Sequence, residues 1–435
     1  CGWLSRGLGD VYKRQLLSIV RRRVQVLLAI GLVTLFFGWQ VPKLHIKTSI
    51  YDLVIEDLPE TTHYNEFKEV FGSDEIIRVV VKAENVFDPA TFRKIEELVS
   101  TATEIEGVRR VISLPGIKKD VDPGGTWSLD RFAAMVTPVA IFRKNLISED
   151  HKASVLTLVL EDAADRDMVI QSVREIIAGA SKDLSLYQIG MPLVSEALAD
   201  FTKKDFFSLP PITFLIIAVI LFFLFRNLAC LALPLSCVTL ALVWTFGLMA
   251  LTKTPLSMMT MIVPVFLIAV GTAYCLHIGS EYLTSAQETE SRTEAAVATF
   301  SLVSFPTALA VLTTAIGLGS LLINRIAAIR QFAIFSCFGM FSILVIVLTF
   351  FPAALSIFPL PKKKSDETNI TPRFFDRFLD WVVNLDLHKQ KVTLPILGAL
   401  VLFCIIGILR IRVETSPVEY FKRDTEVSRN FHDIY

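Results

Sequence analysis

The chain has 435 residues, 53% of them hydrophobic, and a mean hydropathy of +0.54, which excludes an ordinary soluble globule and points to a polytopic membrane protein. Its 43 basic and 43 acidic residues cancel, so net charge identifies no partner, and no nucleic-acid footprint is visible. What counts instead is the side of the membrane on which each basic cluster lies.

Residues 1–15 carry no convincing pattern and are set aside as a doubtful leader. The first predicted span, within residues 16–41, is the apolar run Val24–Val41. It follows Arg21-Arg22-Arg23, which puts its start in the cytoplasm. No further apolar block begins until Leu209, so residues 42–208 form a large extracytoplasmic domain.

Inside that domain "EIIRVVVKA" alternates like a strand, Asp88–Ile105 has helical spacing behind Asp88-Pro89, and "GVRRVISL" returns as a strand. The pattern recurs with "KASVLTLVLE", then Asp165–Ala180, then "LSLYQIG". Two βαβ units of this length predict an α+β, ferredoxin-like split sheet. Between them Pro115–Asp150 is a long insertion containing the turn "DPGGTW", read either as a binding loop or as a disordered crossover. A helix over Val194–Phe207 then runs toward the membrane.

Residues 209–358 hold five tightly joined spans: Leu209–Phe225, Ala229–Leu251, Ser257–Gly279, Ala296–Ile323 and Ile329–Phe358. The linker 359–391 opens with Lys362-Lys363-Lys364, which places it in the cytoplasm. Within it, Phe374, Phe378, Leu379, Val382 and Leu385 predict an amphipathic helix, lying either on the inner membrane face or against the protein itself. A seventh span is predicted within residues 392–409. Residues 410–435 then repeat the emergent pattern that follows the first span, with Thr415-Ser416 matching Thr48-Ser49, as the start of a second, truncated copy of the domain.

Cys230, Cys237, Cys275, Cys337 and Cys404 lie in apolar runs, and neither a disulfide framework nor a zinc spacing appears. No cofactor or metal is expected. Nothing resembles a nucleophile elbow or P-loop, so an enzyme is the least favoured class.

The stretches "ALVWTFGLMALTKTPLSMMTMIVPVFLIAVG", "PTALAVLTTAIGLGSLLINRIAAIRQFAIFSCFGM" and "RKNLISEDHKASVLTLVLED", with the order of spans, resemble the resistance-nodulation-division (RND) exporters, in the branch of MMPL and hopanoid-type hydrophobe transporters. The resemblance implies proton-driven export of lipids or other amphiphiles, a bacterial inner-membrane location with a periplasmic domain, and a second copy or a periplasmic protein as partner. It also places Thr313, Thr314, Gly317 and Ser320 in a fifth-span signature, where small residues let helices pack closely in lipid.

In that family the fourth span carries a Gly-x-Asp-aromatic core whose carboxylate relays protons. Here Gly271-Thr272-Ala273-Tyr274 occupies that place, so Ala273 stands where the Asp is expected. His277, one turn later and on the same face, is the candidate replacement, with Tyr274 as its hydrogen-bonding neighbour. The competing reading makes His277 a neutral packing contact between helices. Two other functions stay open: a protein-secretion auxiliary like SecD and SecF, and a lipid- or sterol-sensing module without transport.

Overall fold

The computed structural model describes residues 16–46, 75–161, 164–180, 184–225, 228–289, 291–357, 390–411 and 425–432, with a few single residues between them. The predicted leader, most of the cytoplasmic linker with Phe374, Phe378 and Leu379 of its amphipathic pattern, and the Thr48-Ser49 and Thr415-Ser416 match lie outside these residues. The chain divides into two compact units, one comprising residues 1–47 and 202–413 and the other residues 48–201 and 414–435.

The first unit opens with α1 (Arg23–Gln40), whose Leu28, Leu32, Leu35 and Trp39 are all exposed. So much uncovered apolar surface on one helix is what a lipid-facing span presents.

In the second unit β1 (Ile76–Lys82) leads to α2 (Pro89–Thr103), β2 (Val108–Ile112) and three short helices, α3 (Leu114–Val121), α4 (Leu129–Val136) and α5 (Ala140–Asn145). Then come β3 (Ala153–Leu160), α6 (Arg166–Gly179) and β4 (Ser185–Ile189). The strands form one antiparallel sheet in the order β2-β3-β1-β4. Period-two alternation sends Ile77, Val79 and Val81 of β1 and Leu156, Leu158 and Leu160 of β3 to one face. Phe92 and Ile95 of α2 and Val169, Ile170 and Val173 of α6 bury against them.

Each long helix starts where its side-chain chemistry dictates. Asp88 accepts from the amides of Ala90 and Thr91, with Pro89 at the first helical position, and Asp165 accepts from those of Asp167 and Met168. Arg166, next to that cap, forms a two-pronged ion pair with Glu75, whose side chain is only 7% exposed. The segment expected as a loop or crossover, Pro115–Asp150, is instead mostly helical. Ser113 and Ser128 cap α3 and α4, and Leu114, Phe132 and Val136 anchor them in the sheet core.

The helix predicted from Val194 and the span predicted from Leu209 are one element, α7 (Met191–Phe225), which continues through Pro210-Pro211. It starts at Gly190, whose φ of +153° suits glycine and whose missing side chain would meet the carbonyl oxygen of Ile76 at 2.5 Å.

The remaining helices of the first unit are α8 (Leu228–Leu251), α9 (Ile262–Glu288), α10 (Arg292–Gly319), α11 (Ala327–Leu355) and α12 (Gln390–Ile408). Among the described residues, six helices are long and apolar enough to span a bilayer; the seventh predicted span gives only the shorter apolar stretch Val392–Ile408, which is exposed but for Thr393. Helices α8, α9, α10 and α11 pack together, and α1 joins them through α8 and α11. The joint predicted at Glu281–Glu294 is narrower than expected, because α9 remains helical to Glu288. The second unit closes with α13 (Glu426–His432), which packs near β4.

Candidate functional site

Helix α9 divides into two faces. Val263, Leu267, Ile268, Gly271, Thr272, Cys275, Ile278 and Tyr282 are buried, whereas Ala269, Ala273, His277, Ser280 and Thr284 form an exposed stripe at helical spacing. Elsewhere the exposed faces carry large apolar side chains, such as Leu215, Ile216 and Val219 on α7 or Phe305, Leu309 and Leu312 on α10. The α9 stripe instead consists of small and hydroxyl residues around one imidazole.

At about 1.5 Å per residue, Ala273 lies about 17 Å and His277 about 23 Å from the start of α9, so the imidazole sits beyond the middle of the helix, toward its polar end. His277 has no hydrogen-bond partner among the described residues. Tyr274 is not its neighbour in the sense expected from sequence: three residues earlier on the helix, it is half-buried and directs its hydroxyl to Thr314 Oγ1 of α10, 3.5 Å away. At that length the contact is at the outer limit of a hydrogen bond. Thr314 Oγ1 also donates to the carbonyl of Ala310 at 2.8 Å.

Gly271 is a close-packing point. A side chain there would stand 2.8 Å from Ile343 Cδ1 and 3.0 Å from Val238 Cγ2, so three helices converge on it. The fifth-span signature behaves differently from the expectation. Thr313, Gly317 and Ser320 are exposed, and nothing lies within 4 Å of where a side chain on Gly317 would begin. Thr313 and Ser320 turn their hydroxyls back to carbonyls of their own chain, those of Ala310 and Gly317. Among the described residues, Thr314 alone of the four has a side-chain hydrogen-bond contact with a neighbouring helix.

The close contacts that sequence reasoning missed lie at Gly247, where α8 meets α1, and at Gly339, which faces Leu267. Beside the first, Trp244 Nε1 donates to Thr34 Oγ1 at 2.9 Å. The available signal was the indole itself, since a tryptophan N–H in an apolar helix needs an acceptor.

In the sheet unit, α2 and α6 flank a groove of about 340 Å³ lined by Lys94, Leu98, Thr101, Ile176 and Leu184. The inserted turn is organised by Asp122, which accepts from the amide of Trp127 at 2.7 Å and from the amide and hydroxyl of Thr126 at 3.0 and 3.1 Å. Arg131 lies 4.5 Å from the Trp127 ring centre. The Trp127 amide, aided by Thr126, holds the Asp122 carboxyl below its ordinary value of 3.8 against the opposing effect of burial. A depressed folded value means that the stabilisation is complete above 3.8 and is lost as pH falls through the lower folded value. Asp122→Ala is therefore expected to remove hydrogen-exchange protection from the amides of Thr126 and Trp127 at neutral pH, whereas the unaltered protein should lose it only in acid. Equal protection in both proteins at neutral pH would show that the turn holds without the carboxylate.

Comparison with known proteins bears on the whole arrangement. The model of the MMPL family matches residues 60–383, well over half of the chain. The chain belongs to the MMPL family. One similar protein from Methanocaldococcus jannaschii, MJ1562, named only as an inferred membrane protein, is 21% identical over 373 residues, covering 79% of this MMPL-family chain and 94% of that protein. As a member of the MMPL family the chain is a multi-pass membrane protein of RND transporter type. Among its described residues no group of three or more His, Cys, Asp or Glu could hold a metal ion.

Proposed function

We propose that this MMPL-family chain takes part in proton-driven export of lipids or other amphiphiles, with His277 in the role that an aspartate at position 273 would fill. The observation that carries the reading is the imidazole of His277 on an exposed stripe of small residues within a membrane helix. A small-residue stripe suits a surface that meets another helix more than one that meets acyl chains. An imidazole can take up and release a proton, which the small and hydroxyl residues around it cannot.

The sheet unit supports the same reading. Its strand order β2-β3-β1-β4, with α2 joining β1 to β2 and α6 joining β3 to β4, supports reading it as a ferredoxin-like split βαβ domain with α3–α5 inserted, and the groove between α2 and α6 is a candidate outer surface for cargo. Arg21-Arg22-Arg23 and Lys362-Lys363-Lys364 favour a bacterial inner-membrane orientation with this domain outside. The sensing alternative draws on Ala273, the missing carboxylate.

The test is transport of a fluorescent phospholipid by the full-length protein reconstituted in vesicles carrying a pH gradient. Movement should depend on the gradient and stop when a protonophore collapses it. Lipid binding without movement would favour the sensor; movement indifferent to the protonophore would remove proton coupling.

A further inference from the structure

The lipid-facing side of the first unit is not uniformly flat. Between α1 and α8 lies a groove of about 700 Å³ whose walls include Thr34, Leu35, Gly38, Trp39 and Val243 and whose end carries Pro42 and Lys43. Two features of sequence open it. Gly38 has no side chain, and one built there would approach Val243 Cγ1 at 3.7 Å, an ordinary contact that would fill the space. Thr34, the polar wall residue, has its hydroxyl already engaged, donating to the carbonyl of Ile30 at 2.7 Å and accepting from Trp244 Nε1 at 2.9 Å. The walls are therefore chemically apolar.

The rim is the opposite. Val41–Ile46 is stapled to the segment after α8 by the amide of Leu256, which donates to the carbonyl of His45 at 2.9 Å, and by a bridge between Ile46 and Leu256. These two segments, residues 41–46 and 251–261, contain Lys43, His45 and Lys253 and no carboxylate. Lys43 Nζ donates to Gln40 Oε1 at 3.0 Å, a neutral partner that leaves its charge uncompensated by that contact. From Thr34 to Pro42 is about 12 Å along the helix, close to the ~15 Å hydrocarbon depth of one leaflet.

We propose that this groove binds one acyl chain of an anionic phospholipid, with the phosphate at Lys43. A zwitterionic lipid would satisfy the apolar walls equally well; the ammonium of Lys43 at the groove's end is what selects a net negative headgroup. Trp39, 75% exposed at the same level, is placed as interfacial tryptophans are, with its ring among the headgroups. The site stands apart from the transport reading, since a lipid held there is equally usable as cargo or as a resident component.

The experiment reconstitutes the full chain in phosphatidylcholine vesicles containing a small fraction of diazirine-acyl phosphatidylglycerol, or the same fraction of diazirine-acyl phosphatidylcholine, and maps the crosslinks. Labelling of α1 near Leu35 and Gly38, and of α8 near Val243, should favour the anionic probe by about fivefold, the factor that one cation near the surface supplies. Lys43→Gln should abolish that preference while leaving folding intact, since the side chain is exposed. Gly38→Leu should suppress labelling by both probes; should it fail to fold, Lys43→Gln decides alone. Equal labelling by the two probes, or a preference that survives Lys43→Gln, overturns the proposal, as does labelling spread evenly over every exposed helix.

Discussion

Replacing His277 with glutamine is expected to reduce gradient-driven lipid export by the full-length protein to the level seen without a gradient, while expression and thermal stability stay unchanged. Glutamine preserves approximate size and hydrogen-bonding ability but does not titrate near neutrality. The side chain is exposed and has no hydrogen-bond partner among the described residues, so its loss should cost within about 0.5 kcal/mol of stability. A structural histidine would give the reverse pattern, with altered stability and retained coupling. Tyr274→Phe should produce a smaller loss, because it removes only the 3.5 Å contact to Thr314. Adding Ala273→Asp to the glutamine variant tests whether a carboxylate one turn away can substitute, at an insertion cost of about 2.5 to 3.5 kcal/mol. Undiminished gradient-dependent export by His277→Gln would end the relay hypothesis.

The second large effect is expected at Gly247. A side chain there would begin 2.5 Å from the carbonyl oxygen of Phe37, 2.6 Å from its Cβ and 2.8 Å from its Cα. These atoms belong to or adjoin the backbone of α1 and cannot rotate aside, so the helices themselves must separate. Gly247→Ala should cost about 1–3 kcal/mol, and Gly247→Leu more. The same displacement would stretch the bond from Trp244 Nε1 to Thr34 Oγ1 and so change the tryptophan fluorescence. Gly339→Ala is the instructive contrast: its nearest atom is Leu267 Cδ1, also 2.5 Å away, but at the end of a side chain that can change rotamer. Gly317→Ala, in open space, should be close to neutral. Thermal unfolding in detergent would rank the three, and a Gly247→Ala protein as stable as Gly317→Ala would refute the close-approach argument.

These two sites show what the sequence could and could not disclose. The membrane helices were legible because each is a long apolar run, and the alternation of β1 and β3 marked the sheet. Which face of each membrane helix turns inward was not legible, because helices apolar all round leave no polar stripe to read. That is why Thr313, Gly317 and Ser320, small and well spaced, pointed to a close contact, yet are exposed among the described residues, while Gly247 and Gly339 passed unnoticed. In the insertion, helices α3, α4 and α5 have only six to eight residues, too short for periodicity to establish, although the caps Ser113 and Ser128 were in view. Tyr274 was assigned to His277 by nearness on the helix, yet its hydroxyl is directed to Thr314 of α10, a partner that only the packing of the two helices supplies.

The hydroxyl groups of the membrane helices have a mechanical consequence. Thr245, Thr299, Ser342 and Thr349 each donate to a carbonyl one turn back on their own helix, as do Ser236 and Thr239. Polar groups satisfied in this way travel with the helix that carries them. Between α9 and α10 the described side-chain hydrogen bonding amounts to the long Tyr274–Thr314 contact; between α10 and α11 it is the weak donation from Cys337 Sγ to the carbonyl of Ala315 at 3.3 Å, with Arg292 of α10 also donating to the carbonyl of Ile357, just past the end of α11, at 3.2 Å. Sliding one helix along the other therefore breaks almost no polar bonds, and resistance comes from the interlocking of side chains. These two seams, unlike the one between α1 and α8 that Trp244 and Thr34 tie together, resemble a low-friction bearing, in which a small free-energy input can change the register of neighbouring helices.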